Sequence, residues 1–245
     1  MRKVFGGLTA VDNVSLEVWR GKMKAIIGPN GAGKSTLLNI LSGVLKPTAG
    51  EVYLEGVPIT GLPTHEVAAL GVARTFQTVQ LFHNMTVLEN VMVGRHGRTR
   101  EGLLAAALRL PRQRREEKAL LAHAREKLKI VGLADRSDDP AVALPFGQQR
   151  LLEIARALAS DPKVLLLDEP ASGLSSHEVE TLAELLRTIV AAGVTVVLVD
   201  HDMQFVMDIS DEVLVLDHGA RIAEGPPAQV QENRKVIAAY LGEGD

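Results

Sequence analysis

Residues 28–36 read Gly-Pro-Asn-Gly-Ala-Gly-Lys-Ser-Thr, which satisfies G-x-x-x-x-G-K-[ST]. The flanks matter as much as the motif. Met23–Ile27 (MKAII) is an apolar, strand-like run just before it, and Lys34–Ser42 carries helical spacing just after. Glycines at 28, 31 and 33 let the backbone turn tightly and aim successive N–H groups at an anion. The following helix adds its positive N-terminal end. Lys34 supplies a mobile cation for β- and γ-phosphates, and the Ser35 hydroxyl can ligate Mg²⁺. Gly28, Pro29, Asn30, Gly31, Ala32, Gly33, Lys34, Ser35 and Thr36 are therefore candidate contacts for a nucleoside triphosphate.

Two further apolar runs, Lys163–Leu167 (KVLLL) and Val194–Val199 (VTVVLV), are bounded by turn residues and read as strands buried on both faces. Helical spacing follows each, over Ser176–Ala192 and Met203–Ile209. This alternation predicts an α/β fold with a mainly parallel sheet. Near the start, Val14–Val18, Glu51–Leu54 and the GG and EG turns read as short antiparallel strands. From about Met85 to Leu133 there is no strand candidate, and Leu, Ala, Arg and Glu dominate. Pro111 suits a helix start, after which Leu120, Leu121, Ala124, Leu128 and Val131 give one apolar face. An inserted α-helical subdomain is expected there. Residues 95–118 hold eight Lys/Arg against three Asp/Glu; a solvated helix face and an interaction surface both explain that charge.

Composition narrows the classes of function. The 245 residues permit one large domain or two small ones. With 27 Lys+Arg against 30 Asp+Glu the net charge is −3, which argues against a surface built to neutralise nucleic-acid phosphates. One Trp, two Tyr and five Phe are too few for a base-stacking platform. The lack of cysteine excludes a disulfide scaffold, a thiolate metal site and a cysteine nucleophile. No apolar run reaches the roughly 18–20 residues that cross a bilayer, and no signal-peptide core is present, so action at a membrane would require a partner.

In α/β sheets ligands gather at the carboxyl ends of the strands. The second apolar strand ends in Leu167-Asp168-Glu169-Pro170, where Asp168 suits a Mg²⁺ held through water and Glu169 suits an attacking water. The third ends in Val199-Asp200-His201-Asp202, which places His201 to contact the γ-phosphate or that water. Gln77 lies just before the helical insertion, where its amide can complete the Mg²⁺ shell.

The ordered series Gly28–Thr36, Gln77, Leu144-Pro145-Phe146-Gly147-Gln148-Gln149-Arg150, Leu167–Pro170 and His201 resembles the ATP-binding subunit of an ABC transporter across essentially the whole chain. The L-x-[aromatic]-G-Q-Q-R segment is similar to that of ATPase subunits serving branched-chain amino-acid importers. So are Phe5–Val11, Ala73–Gln77, the basic stretch around 95–118 and Val236–Glu243. The resemblance implies a P-loop NTPase core with a mainly parallel sheet, an N-terminal antiparallel β subdomain and an inserted α-helical subdomain. Residues 1–245 would form one ABC ATPase domain, with approximately 78–160 as the insertion, including the signature helix.

The same resemblance implies ATP and Mg²⁺ as cofactors, Phe5 stacked on adenine, and Gly147 and Gln148 on the γ-phosphate of a nucleotide held by a second ATP-binding subunit. For Phe5 the plain reading is an ordinary core aromatic. It implies catalytic roles for Glu169, His201 and Gln77, and metal contacts from Ser35, Gln77 and Asp168. Integral-membrane permease subunits would dock in a groove lined by Phe82, Met85, Val87 and Leu88, with an external solute-binding protein as an indirect partner and no nucleic acid. The chain would then sit peripherally at the cytoplasmic face of the cell (inner) membrane. Urea or amide import, lipid export and a soluble non-transport ABC ATPase are the alternatives.

Pro145 and Phe146 stand where the family usually has Ser and Gly, and Ser175 where many relatives have Asp. Relatives also carry several more residues before the segment matching Phe5, so a shortened or late start is expected and the adenine platform would lie near a free end.

Overall fold

The computed structural model describes residues 1–95 and 111–241. Most of the basic stretch at 95–118 lies outside the described residues. In chain order the strands are β1 (Lys3–Phe5), β2 (Leu8–Val11), β3 (Met23–Ile27), β4 (Tyr53–Leu54), β5 (Val57–Pro58), β6 (Val72–Arg74), β7 (Val164–Asp168), β8 (Thr195–Val199), β9 (Glu212–Asp217) and β10 (Ala220–Gly225). The α-helices are α1 (Lys34–Leu41), α2 (Thr64–Leu70), α3 (Val87–Val93), α4 (Pro111–Ile130), α5 (Phe146–Leu158), α6 (Ser176–Ala191), α7 (Met203–Ile209), α8 (Pro227–Gln231) and α9 (Arg234–Leu241).

Contacts divide the chain into two compact units. One comprises Met1–Gln77 with Lys163–Asp245, the other Thr78–Pro162. In the first, six strands run in the order β10-β9-β3-β8-β7-β6. β9, β3, β8, β7 and β6 are mutually parallel, and β10 turns back antiparallel on β9. All five residues of β3 and of β8 are buried, which is why their sequences lack inside–outside alternation. Lys24 interrupts that apolar run and is itself buried. Its ammonium meets Glu224 at 2.5 Å and Glu212 at 2.9 Å, so the charge is neutralised within the sheet. Ile26, Leu37, Leu38, Leu166, Val197 and Leu214 pack together between the sheet and α1.

The GG and EG turns do close antiparallel hairpins, β1–β2 and β4–β5. One strand expectation needs correction. Residues 14–18 form no strand, although Val14 is buried and Leu16 and Val18 pack against the core. Their alternation is inward packing without a ladder; Val14 exchanges backbone hydrogen bonds with Met1. Sequence patterning also left β6, β9 and β10 unassigned. β6 is only three residues long, and β9–β10 close on a tight turn at His218-Gly219.

The second unit is helical. Thr86 caps α3, its hydroxyl accepting from the Glu89 N–H at 3.2 Å while Glu89 accepts from the Thr86 N–H at 2.7 Å. Ala124 and Leu128 of α4 are fully buried, as the apolar spacing requires. Val87 and Leu88 also belong to this core, so the expectation that they line a docking groove is corrected; the capped first turn of α3 faces them inward. Phe82 is exposed. Asp161 gathers Arg95 at 2.7 Å, Lys127 at 3.1 Å and His123 at 3.4 Å.

Leu166 is buried in the centre of the first unit's core. Leu166→Ala is expected to cost about 2–5 kcal/mol through lost contacts and a residual cavity. Chemical denaturation should show a lower midpoint with an unchanged slope.

Candidate functional site

The carboxyl ends of β3, β8, β7 and β6, four adjacent parallel strands, deliver the glycine-rich loop, His201, the Asp168–Glu169 pair and Gln77 to one edge of the sheet. The turn after β3 is the glycine-rich loop. Gly33 has φ +97°, and a Cβ there would lie 2.2 Å from the Ala10 carbonyl oxygen; at Gly28 (φ +148°) it would lie 2.0 Å from the Leu216 carbonyl oxygen. The loop is therefore pressed from behind by β2 and β9, and the Gly219 N–H braces the Ala32 carbonyl at 3.1 Å.

Lys34 begins α1 and is buried. Its ammonium donates to the carbonyl oxygens of Gly28 at 2.7 Å and Pro29 at 2.8 Å. Burial pushes its pKa down, and the nearby Glu169 and Asp168 carboxylates offset part of that fall. A buried ammonium held by neutral carbonyl dipoles gains from an anion. The forward-facing loop, the exposed Ser35 hydroxyl at the first turn of α1 and the helix N-terminus supply the complementary donors. This donor set fits a polyphosphate.

After β7 come Asp168 and Glu169. Asp168 is buried and paired through Oδ2 with Arg74 Nη2 at 2.9 Å. Glu169 adopts φ +48°, the left-handed region that a non-glycine residue occupies only when its surroundings impose it. Here its N–H donates to the Val199 carbonyl at 2.7 Å, locking β7's exit to that of β8. Gln77 Nε2 donates to Glu169 Oε2 at 3.0 Å, and His201 Nδ1 lies 3.9 Å from the same oxygen. The structure thus brings together Gln77, Glu169 and His201, three residues that sequence order alone placed far apart. Asp200 builds the turn that carries His201. It is buried and accepts from the N–H groups of His201 (2.8 Å), Asp202 (3.0 Å) and Ala171 (3.0 Å). Burial pushes its pKa up against those three hydrogen bonds.

Phe5, at the end of β1, is 44% exposed, not a core aromatic, and Lys3 Nζ sits 4.9 Å from its ring centroid. Gly147 and Gln148 lie in the first turn of α5, in the helical unit. Pro145 caps that helix with extended backbone (ψ 155°) and Gln149 Nε2 donates to the Leu144 carbonyl at 2.9 Å, so the N-terminus is organised without the usual Ser. Ser175, in place of Asp, caps α6, donating from its N–H (2.9 Å) and hydroxyl (2.7 Å) to Glu178.

Sequence reasoning passed over Arg74, Asp200 and Tyr240. Arg74 was visible only as part of a resembling segment, and its partners are remote in the chain. Partial burial pushes the phenol of Tyr240, on α9, above its ordinary range, and a hydrogen bond with the Gly28 backbone offsets only part of that rise. Nothing local in the sequence signals that contact.

With the geometry in place, comparison identifies the class. The ABC transporter family profile matches residues 11–172, and a profile described as branched-chain amino acid ATP-binding cassette transporter matches residues 220–245. The chain belongs to the ABC transporter family. Over 240 residues it is 45% identical to the high-affinity branched-chain amino acid transport ATP-binding protein BraF of Pseudomonas aeruginosa, covering 98% of this chain and 94% of that one. Among solved structures it is similar to a nucleotide-free ATP-binding cassette from an ABC transporter, with TM-score 0.86, 35% identity and coverage of 99% and 96%. It is also similar to a dimeric post-hydrolysis ATP-binding cassette bound to ADP and Pi, with TM-score 0.76, 30% identity and coverage of 92% and 95%.

Gly33→Val should lower stability by about 1–3 kcal/mol from backbone strain alone, before the clash with Ala10 is counted. Thermal melting against the parent chain measures it.

Proposed function

We propose that this chain is the ATP-hydrolysing subunit of an ABC importer for branched-chain amino acids (Leu, Ile, Val). The observation that carries the reading is the convergence of the Lys34 loop with the Gln77–Glu169–His201 group at the carboxyl ends of adjacent strands. The cargo rests on the names of the relatives, BraF among them.

In this reading the Lys34 ammonium and backbone N–H groups of the loop and of the first turn of α1 bind the β- and γ-phosphates, and the exposed face of Phe5 carries the adenine. Mg²⁺, when bound, supplies charge neutralisation on the phosphate oxygens. Ser35, Gln77 and Asp168 would hold it. Asp168 is already engaged by Arg74, which fits contact through a metal-bound water rather than a bare carboxylate ligand. Glu169 receives the proton of the attacking water, with Gln77 and His201 orienting its carboxylate. Lys34 and the helix end stabilise the charge that develops. Gly147 and Gln148 complete the γ-phosphate site of a second ATP-binding subunit from the first turn of α5. Such pairing is supported by the dimeric cassette among the similar structures.

Among the described residues no helix is long and apolar enough to cross a membrane. Attachment would come through permease subunits at the cytoplasmic face of the cell membrane, with an external solute-binding protein delivering cargo.

Glu169→Gln is expected to keep ATP affinity while turnover falls by about 10²–10⁴-fold, the usual contribution of a positioned base. Equilibrium binding and phosphate release check the two halves; unchanged turnover would remove Glu169 from its role. Lys34→Ala should instead weaken nucleotide binding. For cargo, this chain reconstituted with its permease should drive uptake of labelled leucine, and uptake of urea or acetamide with no leucine transport would favour the alternative importers.

A further inference from the structure

Arg74 sits at the end of β6 and reaches three partners on two other elements. Nη1 donates to Asn39 Oδ1 at 2.6 Å and to Ser42 Oγ at 2.9 Å; Nη2 donates to Asp168 Oδ2 at 2.9 Å. The side chains of Arg74 and Asp168 are 10% and 9% exposed. Asn39 and Ser42 lie on α1 and at its C-cap, the helix whose first turn carries Ser35, whereas Asp168 ends β7. Arg74 Nε is buried without a hydrogen-bond partner.

Taking a guanidinium out of water is costly, and leaving one of its N–H groups unpaired adds to the cost. A fold that needed only to tie β6 to α1 could do so with neutral groups. A planar fork is required where two directions must be fixed at once: one prong on α1, the other on a carboxylate. We propose that Arg74 is a positioning residue for the Mg²⁺ site. It is the strut that ties Asp168, through Oδ2, to α1, the helix whose first turn carries Ser35. This rests on the nucleotide-binding reading above and adds to it the residue that holds the two metal contacts, which come from different elements, in register. Partners that orient metal ligands in this way contribute about 10- to 100-fold to metal affinity.

The experiment measures ADP affinity by calorimetry in magnesium chloride and in EDTA, for the parent chain, Arg74→Met, Arg74→Lys and the double variant Asn39→Ala/Ser42→Ala. The parent should bind ADP more tightly with magnesium. In Arg74→Met that magnesium increment should fall by about 10- to 100-fold while affinity in EDTA is retained. Arg74→Lys should recover part of it, having the charge but not the fork. The double variant should lose an intermediate share, because Asp168 keeps its partner but the strut loses its anchor on α1. Should Arg74→Met fail to melt cooperatively, the double variant decides by the same ratio. An equal change in both buffers, or no change in either, overturns the inference and leaves the nucleotide site standing. A parent chain that binds ADP identically with and without magnesium overturns both this inference and the metal assignment.

Discussion

Lys34 is a cation that the fold buries and holds against carbonyl oxygens of its own loop. That arrangement is stable only because the loop cannot relax. Ala10 and Leu216 carbonyls press on it from two strands, leaving no room behind Gly33 or Gly28 for even a methyl group. The loop's backbone is therefore held in place before an anion arrives, which lowers the ordering cost of binding one. The hairpin β1–β2 and the β9–β10 turn, distant in sequence, matter to function chiefly as the back wall of this loop.

The rest of the site is a problem of charge placement at the edge of a parallel sheet. Arg74 pairs with Asp168 at 2.9 Å, and the carboxylates of Asp168 and Glu169 act electrostatically on Lys34, so opposite charges are set against one another at this corner. Each carboxylate is fixed differently. Asp168 is gripped by a guanidinium fork, and Glu169 is held by a left-handed backbone locked to the next strand. Strain of that kind, of order 1–3 kcal/mol, persists where the surroundings over-determine it, and here they are the exits of two fully packed strands. Gln77 is the last residue of this unit's first segment, and its Nε2 donates directly to Glu169.

The helical unit keeps its own core and its own polar economy. Asn90 is buried yet satisfied: its Nδ2 donates to the carbonyls of Phe82 at 3.1 Å and Thr86 at 3.0 Å, and its Oδ1 accepts from the Phe82 N–H at 2.9 Å. At the signature Pro145 occupies the N-cap of α5 with no side-chain cap hydrogen bond, so the hydroxyl that Ser would bring is absent there. The proline's φ of −55° and ψ of 155° bring the chain into α5 in an extended conformation.

What the sequence determined by itself is what depends on neighbours along the chain. The glycine-rich loop between MKAII and its helix, the buried runs at 164–168 and 195–199, the apolar face of α4, and the positions of Glu169 and His201 at strand ends were all legible, because period and turn chemistry are local signals. The tertiary structure alone decided the pairings. Arg74 and Asp168 are 94 residues apart, and Lys24 and Glu224 are 200 apart. Residues 14–18 alternate like a strand yet remain unladdered, and Val87 and Leu88 turn inward where apolar character alone suggested a docking face. Whether an apolar or charged side chain meets solvent, a ladder or an opposite charge depends on which distant segment the fold lays beside it, and no spacing within the chain encodes that neighbour.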